Sequence, residues 1–141
     1  FSKTQIKEFS ILFIMINYLN ILKQKIEEIS EIKFLSEETE KLKTFILSQL
    51  HEEIDKQNLM LKILPLYKNL IDDINESTSI QLLTETKSED SILILLNELL
   101  LELKELNEQK KIESLEKRLI NNLDENSFSE LVKLKNQLNR E

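Results

Sequence analysis

The chain has 141 residues with no Gly, no Cys, a single Pro and a single His, and a net charge of −7. Without glycine, neither a phosphate-cradling P-loop nor a dinucleotide-binding fingerprint can be written. Without cysteine, and with His51 alone, there is no disulfide, no thiol nucleophile and no Cys/His zinc site, a composition that suits a reducing cytoplasm.

The apolar residues are mostly Leu and Ile at spacings of three and four, separated by Lys, Glu, Asn and Gln, and this period points to an all-α fold. The opening Phe1-Ser2-Lys3-Thr4 lacks an initiating Met, and the chain reads as a piece of a larger protein with Glu141 as its natural end. A first helix is predicted from Thr4 to Gln24, apolar nearly all round between Phe9 and Leu22, which marks a central, buried helix. Its core, FSILFIMINYLNIL, and the later ILILLNELLL both fall short of the roughly 20 residues that span a bilayer. No small-residue cleavage site follows the first run, so both are read as buried helices without a membrane role.

Ser36 stands as an N-cap before EETEKLKTFILSQL, where Leu42, Phe45, Ile46 and Leu50 repeat at helical spacing. A third stretch, Asn58 to Asn75, carries Pro65 and is expected to kink there or divide into two short helices. NESTSIQLLTETKSED (75–90) reads as a loop around one turn of helix. The longest pattern follows, from about Asp90 to Leu123, capped by Ser88 or Asp90. A continuous helix of that length extends about 50 Å.

With Ile92 at zero and about 100° per residue, Leu95, Leu96, Leu99, Leu100, Leu103 and Leu106 fall within roughly 70° of one direction. Ile112, Leu115, Leu119 and Leu123 fall on nearly the opposite side, beyond the polar interval NEQKK (107–111). The first half is therefore expected to close a bundle made by the preceding residues. The second half faces a final helix opening Ser127-Phe128-Ser129-Glu130, a capping-box pattern, with Leu131, Leu134 and Leu138 as its stripe. The predicted architecture is a helical bundle over 1–107 and a C-terminal hairpin over 108–141, sharing the long helix. An isolated pair this small is marginal in water. Ile120, Phe128 and Val132, on the flanks of the stripes, either thicken the hairpin or form a surface that another protein completes.

Charge adds a constraint on partners. Residues 1–50 balance seven Lys against seven Glu, and residues 107–141 balance seven Lys/Arg against seven Asp/Glu, so the acidic excess lies in 51–106, with five Lys against twelve acids. No basic stripe exists to displace counterions from phosphate, which argues against direct DNA or RNA binding. His51-Glu52-Glu53-Ile54-Asp55 resembles HExxH only until Asp55, where the second His is required. Asp72 and Asp73 are adjacent and diverge by about 100° on a helix, so they do not pair as acid and base. No catalytic constellation, metal site or cofactor motif emerges.

The order of an apolar bundle, a long rod and a closing hairpin resembles the C-terminal, helicase-binding domain of bacterial DNA primase (DnaG type). The likeness is carried by SILILLNELLLELKELNEQ through FSELVKLKNQLNRE, and by IKEFSILFIMINYLNIL, where Tyr18 follows Asn17 in place of the family's usual Pro. The resemblance implies a monomeric, non-catalytic domain, needing no cofactor, that docks primase onto the N-terminal domains of the hexameric replicative helicase (DnaB type) in the bacterial cytoplasm. It places helicase contacts on Asn136 and Arg140, with Leu131, Val132 and Leu138 as apolar neighbours, and hot-spot logic adds Phe128 and Ile120. Some family members also hold the acidic tail of single-stranded-DNA-binding protein. The nearest basic residues for that partner are Lys3 and Lys7, in a region of zero net charge. The competing readings are the N-terminal domain of the helicase itself and a self-associating structural bundle. The latter would call for an unbroken heptad stripe.

Overall fold

The computed structural model describes residues 1–51, 53–77, 88–122 and 125–139, the side chains of 121, 122, 125–129, 131 and 139 excepted. The described residues are all-α, forming seven helices. They divide into two compact units, Phe1–Leu100 and Leu101–Glu141.

The first unit opens with α1 (Lys3–Asn17), whose start is fixed by a reciprocal cap. Ser2 Oγ accepts from the Gln5 N–H and Gln5 Oε1 accepts from the Ser2 N–H. The expected helix through Gln24 stops at Asn17. Asn17 Nδ2 donates to the Phe13 carbonyl, a side-chain bond that competes with the helical ladder, and Tyr18 leaves helical geometry at φ −130°, ψ 67°. The chain resumes as α2 (Leu19–Gln24) and, past Lys25, α3 (Ile26–Glu31). Apolar side chains on both sides of the break, Met15, Ile16, Ile21 and Leu22, are buried, so the hydrophobic period runs through it unchanged.

Helix α4 (Glu37–Gln49) has Ser36 at its N-cap as expected, but the Ser36 side chain makes no capping bond. Its carbonyl instead accepts from the Glu40 N–H and the Thr39 hydroxyl. Leu42 and Ile46 are buried and Phe45 half-buried. Helix α5 (Lys56–Ser77) is capped by Asp55, whose carboxylate accepts from the Asn58 N–H at 2.8 Å. It is two helices joined across a kink, as Pro65 implied. The missing N–H and the ring's clash with the preceding turn disrupt the ladder, and the residue that departs from helical angles is Tyr67. Helix α1 packs on α2, α4 and α5, and α4 packs on α3 and α5, which makes α1 the central element of this unit.

Helix α6 (Glu89–Asn122) is 34 residues long and runs without interruption through residues 107–111, about 50 Å of rod. Ser88 caps it by accepting from the Ser91 N–H. The preceding residues 78–87, where a loop was expected, lie outside the described residues. In the first unit α6 buries Ile92, Leu96, Leu99 and Leu100, one face of the helix. In the second unit it buries Leu103 on that same face and, beyond residues 107–111, Ile112 and Leu115 on nearly the opposite one. The long helix thus serves two cores with two faces.

In the second unit α7 (Glu125–Asn139) completes a hairpin. Leu119, Leu134 and Leu138 pack against Ile112 and Leu115. Helix α7 begins at Glu125, so Ser127, expected at its N-cap, lies inside it. Glu130 reaches across the hairpin instead, pairing with Arg118 at 3.3 Å, and Lys135 pairs with Glu116 at 3.2 Å.

Candidate functional site

Among the described residues the hairpin core is Ile112 and Leu115, both buried, with Leu119, Leu134 and Leu138 packed against them. Both cross-hairpin ion pairs have side chains about half exposed, and pairs of that kind contribute about 0–1 kcal/mol. The leucines therefore set the hairpin's register and most of its stability.

Of the expected contact residues, Ile120 is 76% exposed and Val132 42% exposed. Ile120 lies about 100° around α6 from Leu119, off the stripe that meets α7, and neither residue is absorbed into the hairpin core. Asn136 is exposed as well. Leu138 belongs to the hairpin's own core, where it would hold the surface in shape. The side chains of Phe128 and Leu131, and Arg140 altogether, lie outside the described residues. An exposed branched aliphatic on each hairpin helix is a surface suited to burial by another protein.

The polar positions weighed from sequence have structural roles or none. Asp55, which breaks the HExxH pattern, is the cap of α5, and His51 is exposed. No group of three or more His, Asp or Glu gathers among the described residues, and no helix there is long and apolar enough to cross a membrane. An open groove of about 400 Å³ beside the α5 kink is lined by Glu38, Lys41, Pro65 and Tyr67 among others.

The polar cluster that sequence reasoning missed is inside the first unit. Glu8, Thr39 and Lys43 are buried. Glu8 Oε2 accepts from the Leu35 N–H at 2.6 Å and Oε1 from the Thr39 hydroxyl at 2.9 Å. Lys43 donates to the Ile32 carbonyl, pairs with Glu40, and sits 5.0 Å from the centre of the Phe34 ring. Burial raises the Glu8 carboxyl above the ordinary glutamate value, against the lowering effect of bonds from Leu35, Thr39 and Ser36, with a further small rise from Glu40. Together these groups pin the connection 32–36 onto α1 and α4. A sequence signal existed: Glu8 lies three and four residues before the buried Ile11 and Leu12, on the face of α1 that enters the core.

No protein family, curated protein or solved structure matches this chain.

Proposed function

We propose that the chain is a non-catalytic docking domain, of the kind that closes bacterial DnaG-type primase, and that its hairpin attaches it to the N-terminal domain of the DnaB-type replicative helicase. The observation that carries the reading is the exposure of Ile120 and Val132, one on each helix of the hairpin. The order of elements supports it: a bundle, an unbroken helix with apolar faces on opposite sides, and a closing hairpin. The partner itself rests on the resemblance of SILILLNELLLELKELNEQ and FSELVKLKNQLNRE to that family. In this reading the primase would gain its place at the fork through apolar contact, with the leucine core presenting the surface and the exposed residues making it.

Ile120→Asp and Val132→Asp test the assignment, since a carboxylate at a desolvated contact carries a large burial cost. Both variants are expected to keep the circular dichroism of the parent and to lose co-elution with the helicase N-terminal domain in size-exclusion chromatography. Co-elution retained by both variants would remove the hairpin surface from the account.

A further inference from the structure

The face that α6 turns to α7 continues beyond the hairpin core. Ile112, Leu115 and Leu119 are the last members of a series spaced alternately by four and three residues: Ile94, Glu98, Leu101, Glu105, Glu108, Ile112, Leu115 and Leu119. At about 100° per residue these positions fall within roughly 100° of one another, so they form one seam on one unbroken helix. The spacing is the heptad one, by which a helix lies along another helix. In the C-terminal part of the seam Leu134 and Leu138 of α7 pack against it. In the N-terminal part Ile94 is 61% exposed and Leu101 51% exposed, alternating with exposed Glu98 and Glu105. Glu108 stands where the two parts meet. Its Oε2 is closed off from solvent and has no hydrogen-bond partner, an arrangement that costs free energy until a donor is supplied.

We propose that the seam from Ile94 to Glu108 is a second docking surface, whose occupant is a basic amphipathic helix of another protein. Its aliphatic side chains would lie against Ile94 and Leu101, and its Lys or Arg against Glu98, Glu105 and Glu108. Two observations select this occupant. The first is continuity, since from Ile112 onward the same seam is already a helix-on-helix surface. The second is charge. Between residues 90 and 112 no Lys or Arg lies within about 60° of Ile94 around the helix, whereas Asp90, Glu98, Glu105 and Glu108 all do. A neutral or acidic helix would desolvate these carboxylates without a counter-charge. A basic one meets them, and a cation at Glu108 gives Oε2 its donor. The glutamates set which helix is accepted, and the two aliphatic side chains supply the apolar contact. This surface does not rest on the helicase reading, because it uses neither Ile120 nor Val132 and its partner is defined by charge pattern alone.

The test is calorimetric titration of the intact chain, at low salt, with two synthetic helical peptides of about three heptads each. One alternates Leu with Lys at its seam positions, the other Leu with Glu, and the two are otherwise identical. The Leu/Lys peptide is expected to bind saturably, one per chain, and about tenfold or more tighter than the Leu/Glu peptide. Leu101→Asp should lose that binding while keeping the circular dichroism of the parent. A chain carrying Glu98→Lys and Glu105→Lys together should reverse the preference between the peptides. A folded chain that binds neither peptide, binds both equally, or binds as well with Leu101→Asp overturns the proposal. A chain that sediments as a dimer without peptide, and as a monomer with Leu101→Asp, gives the seam to a second copy and overturns the partner named here.

Discussion

Replacing Leu115 by Ala should release α7 while leaving the first unit intact. Leu115 is 4% exposed and, with Ile112, makes the buried centre of the hairpin core among the described residues. Deleting its side chain beyond Cβ forfeits the transfer free energy of those carbons and leaves a cavity, together about 2–5 kcal/mol. Among the described residues, the support that remains is the Ile112, Leu119, Leu134 and Leu138 contacts and two half-exposed ion pairs, each pair contributing about 0–1 kcal/mol. A loss near 3 kcal/mol is roughly a hundredfold in an opening equilibrium. Native-state amide exchange reads this directly, since local opening and global unfolding give separate protection factors. The amides of α7 should lose about a hundredfold in protection while those around Leu12 and Leu42 keep theirs. Unchanged protection in α7, or an equal fall in both places, would refute the reasoning that the hairpin stands on its own core around Ile112 and Leu115.

Two further substitutions probe the first unit. Lys43→Met keeps the length of the side chain but leaves the Ile32 carbonyl without its Lys43 donor and Glu40 with only its bond from the Phe34 N–H among those described, a loss of about 1–3 kcal/mol that denaturant unfolding at neutral pH would measure. Pro65→Ala returns an N–H to the ladder and removes the ring that obstructs it. The α5 kink should then relax, with Tyr67 moving from φ −131° to helical values, read from its backbone carbon chemical shifts.

The all-α fold was legible because it is written in period. The change of face along α6 follows from counting residues between Ile92 and Leu119, and the buried sets on either side of NEQKK match that count. Pro65 announced its kink through a missing N–H. What periodicity could not show was backbone departure at residues whose neighbours are apolar in any case. At Tyr18 the stripe continues on both sides, and only the Asn17 side chain marks the break. The Ser127 cap was misplaced because Glu130, read as a local capping partner, is used across the hairpin by Arg118. That is a tertiary contact twelve residues distant, which local pattern does not encode. Glu8 and Thr39 are further apart still, 31 residues, and a carboxylate inside a core face was the sole trace of their meeting. For the docking surface, the flank positions of Ile120 and Val132 were visible on a helical projection. Their exposure depended on where α7 lies against α6, which the structure supplies.

The central claim is that the hairpin docks this domain onto the replicative helicase, and calorimetric titration of the intact chain with the N-terminal domain of its own organism's helicase tests it most directly, beside a chain truncated after Gln109. The account predicts saturable binding by the intact chain and none by the truncated one while the first unit's helices persist. An intact, folded chain that releases or absorbs no heat with the helicase domain at any temperature tried, and does not co-sediment with it, would contradict the account.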